Sequence, residues 1–309
     1  MYEIRLHHEL AAQGFAPSEL ARLVRSGELT RPRRGAYALS PPGADDGAAH
    51  RRLVAATMRQ LCDEAVASHV SAAVLHGLPT WTDQLDRAHV TRDRSGGGKH
   101  LHNLQVHGVP LAESEVTTLD GIRVTNLART VLDLACAWSL ERSVAAADAA
   151  LRAGLPAGEL LNTIEAAVGR RGVVRARCVG EIADRRSESP GESFSRVRFW
   201  RWGLPTPTPQ YVVVDAAGRF VARGDFGWPE LGTIGEFDGD SKYGVLLKPG
   251  QTVQMAVLEE KRREERMREL GWQVVRWTWS DLAHGTELVD RLEAAFRRGR
   301  TAAPHLRIR

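Results

Sequence analysis

Apolar positions in the first forty residues follow two helical periods and then an alternating pattern. The segments "RLHHELAAQGF" and "APSELARLVRSGEL" carry apolar residues at helical spacing, the second after a Ser18 cap. The segment "LTRPRRGAYAL" alternates around the turn residues Pro32 and Gly35, as a hairpin does. The order helix, helix, hairpin predicts a winged helix-turn-helix over residues 1–40.

The middle of the chain mixes both periods. A linker, "PPGADDG", precedes a helical stretch at 48–62, and "RAHVTRD" and "LQVHGV" read as strands on either side of the glycine-rich "RSGGGKH". Helical patterns follow in "NLARTVLDLACAW", "SLERSVAAADAALRAG" and "PAGELLNTIEAAV", and a basic stretch at 170–186 is a further candidate helix. Residues 48–186 are therefore predicted to form a mixed α/β domain.

The pattern changes from Ser189 onward. A short helix is followed by the strands "QYVVVDAAG", "RFVARGDFGWP" and "GTIGEFDG", then by a long charged helix, the strand "WQVVRWTWS" and a terminal helix. The order αβββαβ predicts a third domain over residues 187–309. The whole chain is thus expected to be a mixed α/β (α+β) multidomain protein.

Basic residues gather on the predicted hairpin and on the helix before it. Arg31, Arg33 and Arg34 lie on the wing, and Arg22 and Arg25 on the helix. Exposed arginines also aid solubility, but three within four residues beside a helix-turn-helix pattern favour contact with DNA phosphates. DNA is therefore the predicted partner.

Composition restricts the cellular compartment in which the protein is expected. The chain is 43% hydrophobic and 26% charged with a net charge of +4, and it contains no long uncharged apolar run and no signal-peptide pattern. We therefore expect a cytoplasmic protein without a membrane partner. The three cysteines, Cys62, Cys136 and Cys178, lack a C-x-x-C pair, so they are expected to be reduced and not to form a thiolate zinc site.

Three carboxylates fall inside predicted strands of the last domain. Carboxylates are costly to bury and poor strand formers, so a function or a turn must explain the presence of Asp225, Glu236 and Asp238 in these strands. Converging carboxylates suit Mg²⁺ or Mn²⁺, whereas Asp225 before Pro229 and Asp238 before a glycine are also ordinary turn residues. Their combination in one small sheet favours a metal site.

Residues 189–283 resemble the PD-(D/E)xK nuclease superfamily, in particular its branch similar to very-short-patch repair endonucleases. The element order carries the resemblance, together with Asp225, Glu236 and the charged stretch "EEKRREERMRELGWQVVRWTWSDL". The resemblance implies that Asp225 and Glu236 hold a divalent metal, that Glu192 matches the glutamate of the first helix, and that the reaction is phosphodiester hydrolysis.

One position departs from that superfamily. Asp238 stands where its lysine is expected, and Lys261 or Lys242 would have to replace that charge. Each candidate has a structural alternative: Ser189 and Glu192 have capping-box spacing, and Lys261 lies in a helix rich in ion pairs at helical spacing. A metal-dependent endonuclease is the predicted activity, and an inactive nuclease fold is the alternative.

Three histidines lie close together in "KHLHNLQVH". His100, His102 and His107 invite a zinc interpretation. They lack a cysteine partner or the H-E-x-x-H pattern, so ordinary surface and strand roles are favoured.

Residues 1 to about 165 resemble the AbiEi-type antitoxins of abortive-infection toxin–antitoxin systems. The stretches that carry the resemblance are "LAAQGFAPSELARLVRSGELTRPRRGAYAL", "SHVSAAVLHGLP" and "DGIRVTNLARTVLDLA". The resemblance implies a DNA-binding winged helix in a protein that represses its own operon, with a cognate toxin or defence-system partner and a homodimer as possible assemblies. The alternative function is accordingly an antitoxin or transcriptional regulator.

Overall fold

A computed structural model describes residues 3–39, 45–61, 64–93, 97–239 and 253–302. These form two compact units: Met1–Ser139 with Ala149–Glu181, and Leu140–Asp148 with Ile182–Arg309. The described residues contain three sheets, and about 51% of them are helical and 22% lie in strands. The predicted mixed α/β multidomain class is confirmed, and the division into three domains stays a prediction.

The first unit begins with a small winged helix-turn-helix. Its elements are β1 (Ile4–Leu6), α1 (His7–Ala12), α2 (Pro17–Arg25), β2 (Leu29–Arg33) and β3 (Ala36–Leu39). The strands form an antiparallel sheet in the order β1-β3-β2. A core of Leu10, Leu20 and Tyr37 holds the two helices against this sheet. The periodicity of the sequence thus gave the correct order of helices and hairpin.

Two local predictions in this region are wrong. Ile4–Leu6 is a strand and not the start of a helix, because it pairs with β3, a partner that helical periodicity cannot reveal. Ser18 does not cap α2, because the helix already begins at Pro17 and Ala16 is its N-cap. Proline at the first helical position was the better signal, since its fixed φ suits a helix start.

The rest of the first unit is built on a six-stranded sheet in the order β6-β7-β5-β4-β9-β8. Leu53, Val54, Val90, Leu104 and Val124 belong to its core. Four of its strands (β4, β6, β8 and β9) were not predicted. Each has only two to four residues, which is too few to show an alternating pattern. The elements of this part are α3 (Asp46–Gln60), β4 (Val66–Ala67), α4 (His69–His76), β5 (Ala88–Arg92), β6 (Lys99–Leu101), β7 (Leu104–Gly108), β8 (Val116–Leu119), β9 (Ile122–Thr125), α5 (Leu127–Ala137), α6 (Leu140–Arg152), α7 (Ala157–Ala166) and α8 (Val173–Ile182).

The second unit has the predicted αβββαβ order. Its sheet runs β10-β11-β12-β13, antiparallel except for the parallel pair β12 and β13. Within α6, Leu140–Asp148 belongs to this unit. The elements are α9 (Pro190–Arg201), β10 (Thr208–Val214), β11 (Phe220–Trp228), β12 (Thr233–Phe237), α10 (Val253–Glu269), β13 (Gln273–Trp277), α11 (Trp279–His284) and α12 (Thr286–Ala302).

Two apolar clusters cover the two faces of this sheet. Phe226 and Trp277 pack with Phe199 of α9 and with residues of α11 and α12 on one face. On the other face Ile234 packs with Met267 of α10. The sheet therefore lies between α10 on one side and three helices on the other, which burial of both faces favours.

Within the part of the chain that the structure describes, no helix combines the length and apolarity that a membrane crossing requires.

Candidate functional site

The winged helix presents its basic side chains to solvent. Arg22 and Arg25 are exposed on α2, and Arg31 and Arg34 are exposed on the hairpin. Gly35 forms the hairpin turn with φ of 79°, a left-handed conformation that glycine adopts without strain. The hairpin thus carries two exposed guanidinium groups beside the second helix of the helix-turn-helix.

Arg33 differs from the other predicted phosphate contacts. Its side chain is half-buried, and burial lowers the pKa of its guanidinium from the ordinary value. The Nη1 atom has no hydrogen-bond partner among the described residues. Arg33 is therefore less accessible to a ligand than Arg31 and Arg34. Regular alternation would put Arg31 and Arg33 on the same face, but the pairing of β2 with β3 is irregular between Thr30 and Arg33.

In the second unit, Asp225 and Glu236 lie on neighbouring strands. The antiparallel register pairs Phe226 with Gly235, the residues that adjoin Asp225 and Glu236. The charge of Glu236 acts on Asp225, so the two carboxylates are neighbours. Asp225 Oδ2 accepts a hydrogen bond of 2.8 Å from the Phe237 N–H, and Phe237 packs against the cluster on the opposite face. The two carboxylates that the sequence singled out are brought together.

Two arginines neutralise Glu236. Arg263 of α10 lies 2.9 Å from Oε1, and Arg276 of β13 lies 2.8 Å from Oε2. Arg276 is the direct register partner of Glu236 in the parallel pair β12 and β13. Glu236 is buried, so this double pairing offsets the cost of removing its charge from water. Sequence reasoning missed both arginines, although each lies in a stretch that was already recognised as charged.

Glu192 pairs with the Ser189 cap, as their capping-box spacing predicts. Ser189 caps α9, its Oγ accepting from the Glu192 N–H, and the same hydroxyl donates to Glu192 Oε1 at 2.8 Å. Glu192 Oε2 accepts from the Glu188 N–H and from Gln210 Nε2. The buried carboxylate is thus fixed at the helix start, and it also acts on Asp225 electrostatically.

The close approach of α9 to β12 depends on Gly191. A Cβ at this position would lie 1.9 Å from Phe237 Cε1, so a side chain does not fit. Glycine therefore allows α9 to place Glu192 near the end of β12.

Asp225 has an unusual protonation equilibrium. Burial raises its pKa from 3.8 to about 6, and the charges of Glu192 and Glu236 add to that shift, while the Phe237 N–H and Arg263 oppose it. Clustered, half-desolvated carboxylates with shifted pKa values are typical of functional sites.

The raised pKa predicts that Asp225→Asn stabilises the protein at neutral pH. The folded pKa lies above the unfolded one, so the carboxyl destabilises the fold progressively from pH ~4 to ~6 and fully above that range. Asparagine keeps the hydrogen-bond acceptor and removes the charge. We expect the free energy of unfolding to rise by about 1–3 kcal/mol at pH 8 and to match the wild type near pH 4. Urea unfolding at both pH values measures this difference, and a variant less stable than wild type at pH 8 would contradict it.

The remaining predicted catalytic residues are exposed or lie outside the described residues. Asp238 is exposed, and its backbone N–H donates to the Trp277 carbonyl at 2.8 Å. Lys261 is exposed on α10. Lys242 lies outside the described residues. The positive charge next to Glu236 thus comes from arginines, on β13 and on α10.

These residues do not fit the expected magnesium site in the arrangement that the structure gives them. Each carboxylate oxygen of Glu236 is held in an ion pair with an arginine, and two guanidinium charges at this position repel a divalent cation. The acids of the second unit also do not form a set of three with all ligand atoms within 4.8 Å, as far as the described residues go.

A different cluster in the first unit was missed. His107, which the sequence grouped with His100 and His102, lies beside His69 and His89 instead. His100 and His102 are exposed. The three clustered histidines are 18 to 38 positions apart along the chain, so no local spacing could have revealed them.

Comparison with known proteins supports the interpretation of the amino terminus. Residues 8–40 match the family model described as "Transcriptional regulator, AbiEi antitoxin". This amino-terminal region is therefore similar to the AbiEi antitoxin type. The match spans α1, α2 and the wing, including the exposed arginines.

Two curated relatives come from Mycobacterium tuberculosis. The uncharacterized proteins MT2308 (strain CDC 1551 / Oshkosh) and Rv2248 (strain ATCC 25618 / H37Rv) are each 32% identical over 158 residues, which is 51% of this chain and 55% of the relative. The chain thus spans about half the length of the curated relatives it matches.

Among solved structures, the crystal structure of the Rv2827c protein from Mycobacterium tuberculosis is similar at 17% identity, with a TM-score of 0.37 over 62% of this chain and 74% of that one.

Proposed function

We propose that the protein is a DNA-binding transcriptional regulator of the AbiEi antitoxin type. The observation that carries the proposal is the exposed basic face of the winged helix, formed by Arg22, Arg25, Arg31 and Arg34 within the region that matches the regulator family. Phosphate contacts by arginine supply most of the sequence-independent affinity of DNA-binding proteins.

Each part of the winged helix has a role in this proposal. The second helix of a helix-turn-helix enters the major groove with its amino-terminal residues nearest the bases. On α2 the exposed Ser18 and Arg22 are four residues apart and share one side of the helix, so they are placed for base contact. The wing arginines Arg31 and Arg34 then contact the flanking phosphates.

The biological setting follows from the same similarity. AbiEi-type antitoxins act on the operon that encodes them, so the DNA upstream of this gene is the proposed binding site. A cognate toxin or defence-system protein is the proposed protein partner. Homodimerisation would place two winged helices on a two-fold symmetric operator.

Metal-dependent phosphodiester hydrolysis by the second unit is a second candidate. Asp225 favours it, because its place beside Glu236 and its raised pKa are typical of a functional carboxylate. The ion pairs of Glu236 favour the regulator, because the charges of Arg263 and Arg276 repel a divalent cation.

One binding and cleavage experiment distinguishes the regulator from the nuclease. The full chain is mixed with the DNA upstream of its own gene and with a scrambled duplex, in the presence and absence of Mg²⁺ or Mn²⁺. We expect selective binding to the upstream DNA in both conditions, and intact DNA at the end of each incubation.

The outcomes are distinct. Equal affinity for the upstream and scrambled duplexes would contradict the regulator. Cleavage that needs the metal and disappears in Asp225→Ala would establish the nuclease. Asp290→Ala, which removes an exposed carboxylate on α12 outside the candidate site, is the matched control for that variant.

A further inference from the structure

Three histidines from separate segments meet in the first unit. His69 begins α4, His89 lies on β5 and His107 on β7. One ring nitrogen of each lies within 4.8 Å of the others, and no other group of three potential ligands among the described residues meets this condition. His107 Nε2 and His89 Nδ1 are 3.1 Å apart.

The sheet fixes two of these rings. β5 and β7 are parallel, with His89 opposite Gln105 and Thr91 opposite His107. Residues two apart in a strand share a face, so His89 and His107 project from the same side of the sheet. Their proximity is therefore a consequence of strand register.

The third ring is held by a strained backbone. His69 is buried and has φ of 51°, in the left-handed region that non-glycine residues rarely adopt. Such a conformation costs roughly 1–3 kcal/mol and is found mostly at functional sites. Ser68 Oγ lies 3.0 Å from His69 Nδ1 and accepts a hydrogen bond from Thr91 Oγ1, which fixes the ring relative to β5.

The carboxylate of Asp133 lies next to the His69 ring. Asp133 is fully buried, and its Oδ1 accepts hydrogen bonds from Arg129 and Arg170. Its Oδ2 has no hydrogen-bond partner among the described residues and lies 3.6 Å from His69 Nδ1. A proton on Nδ1 would face this carboxylate oxygen and leave the Nε2 lone pair for a metal, as in a carboxylate–histidine–metal triad.

We propose that His69, His89 and His107 bind one divalent transition-metal ion, with Zn²⁺ as the best match. Tetrahedral Zn²⁺ with Zn–N distances near 2.0–2.1 Å places two ligand nitrogens about 3.3 Å apart, close to the 3.1 Å between His89 and His107. An imidazole-only set selects zinc-like ions over Mg²⁺ or Ca²⁺, which prefer oxygen.

The fourth ligand position opens to a cleft. All three histidines line a cavity of about 710 Å³ together with Arg171 and Gln105. Three protein ligands and an open position for water are the arrangement of an accessible zinc centre rather than of a closed structural one.

Binding requires a small rearrangement. The rings of His69 and His107 are stacked, with centroids 3.6 Å apart and planes at 11°. A metal lies near the plane of each ring that binds it, so one of the two rings must turn about its Cβ–Cγ bond. Loss of this stacking is a specific signature of the bound state.

The test uses the untagged full chain after treatment with a chelator. Zn²⁺ is titrated in competition with a chromophoric chelator, and one ion per chain is expected. His89→Ala and His107→Ala should each weaken binding on the order of 100-fold or more, because each removes one of three ligands. The double variant His7→Ala/His8→Ala removes two exposed histidines of α1 that do not line this cavity and should bind as the wild type does.

Co²⁺ gives an independent readout on the wild type alone. The proposal predicts the visible absorption of four-coordinate Co²⁺ and its loss on addition of Zn²⁺. Failure of the wild type to bind a stoichiometric ion would overturn the proposal, whatever the folding of the variants. Equal Zn²⁺ affinity in folded wild type and folded His107→Ala would also overturn it.

Discussion

Replacing Arg22, Arg25, Arg31 and Arg34 together by alanine is expected to reduce affinity for duplex DNA by on the order of 10³ near 0.1 M salt. Each arginine that neutralises a phosphate releases a counterion, so the plot of log affinity against log salt should lose a slope of about 0.9 per contact. All four side chains are exposed, so the fold should survive. Fluorescence anisotropy at several salt concentrations measures both quantities.

A charge-matched variant makes this test specific. Arg152, Arg177, Arg185 and Arg297 are exposed elsewhere on the chain. Their replacement by alanine removes the same net charge and should leave affinity and salt slope nearly unchanged. If both fourfold variants weaken binding equally, the winged helix is not the contact surface. Arg33 is left out of the set, because its half-buried side chain would confuse binding with folding.

Asp133→Ala is expected to destabilise the first unit by about 3–5 kcal/mol, because it leaves buried arginines without their counter-charge. Asp133 is fully buried, Arg129 is 3% exposed, and Arg129 Nε lies 2.8 Å from Asp133 Oδ1. Arg170 loses the same partner, while Arg129 keeps its ion pair with Glu115. A fall in Tm of roughly 10 °C corresponds to this loss.

The pH dependence of this effect has a definite sign. Burial by itself raises the pKa of Asp133, but His69, Arg129 and Arg170 outweigh burial and hold the pKa below its ordinary value. A lowered folded pKa means that the stabilisation is complete above the unfolded pKa of about 4 and is lost as pH falls below it. The difference between wild type and variant should therefore shrink in acid.

Hydrogen exchange of the α5 amides, measured at increasing urea concentrations, gives the free energy of unfolding of the first unit by itself. A chelator is included, so that metal binding does not contribute. Glu113→Ala is the control, since Glu113 forms an exposed ion pair with Arg123 and should leave stability unchanged. An Asp133→Ala protein with wild-type stability at pH 7 would show that the buried arginines find other partners.

The two carboxylates of the second unit illustrate how far sequence reasoning reached. Strand alternation correctly placed Glu236 and Phe237 on opposite faces, and the order of strands brought Asp225 next to Glu236. The same reasoning could not find Arg263 and Arg276, because helix α10 and strand β13 reach Glu236 only after the sheet has formed. The cationic partners of a buried acid are set by packing, and they decide whether that acid is available to a metal.

The sequence by itself determined the order of elements in the winged helix, the αβββαβ order of the second unit, the Ser189 cap of α9 and the basic residues of the wing. These depend on periodicity, turns and caps, which act between residues a few positions apart. Only the tertiary structure decided the pairing of β1 with β3, the arginines around Glu236, and the meeting of His69, His89 and His107. Such contacts depend on strand register and on helix packing between distant segments, and the physical interactions that fix them exist only once the chain has folded.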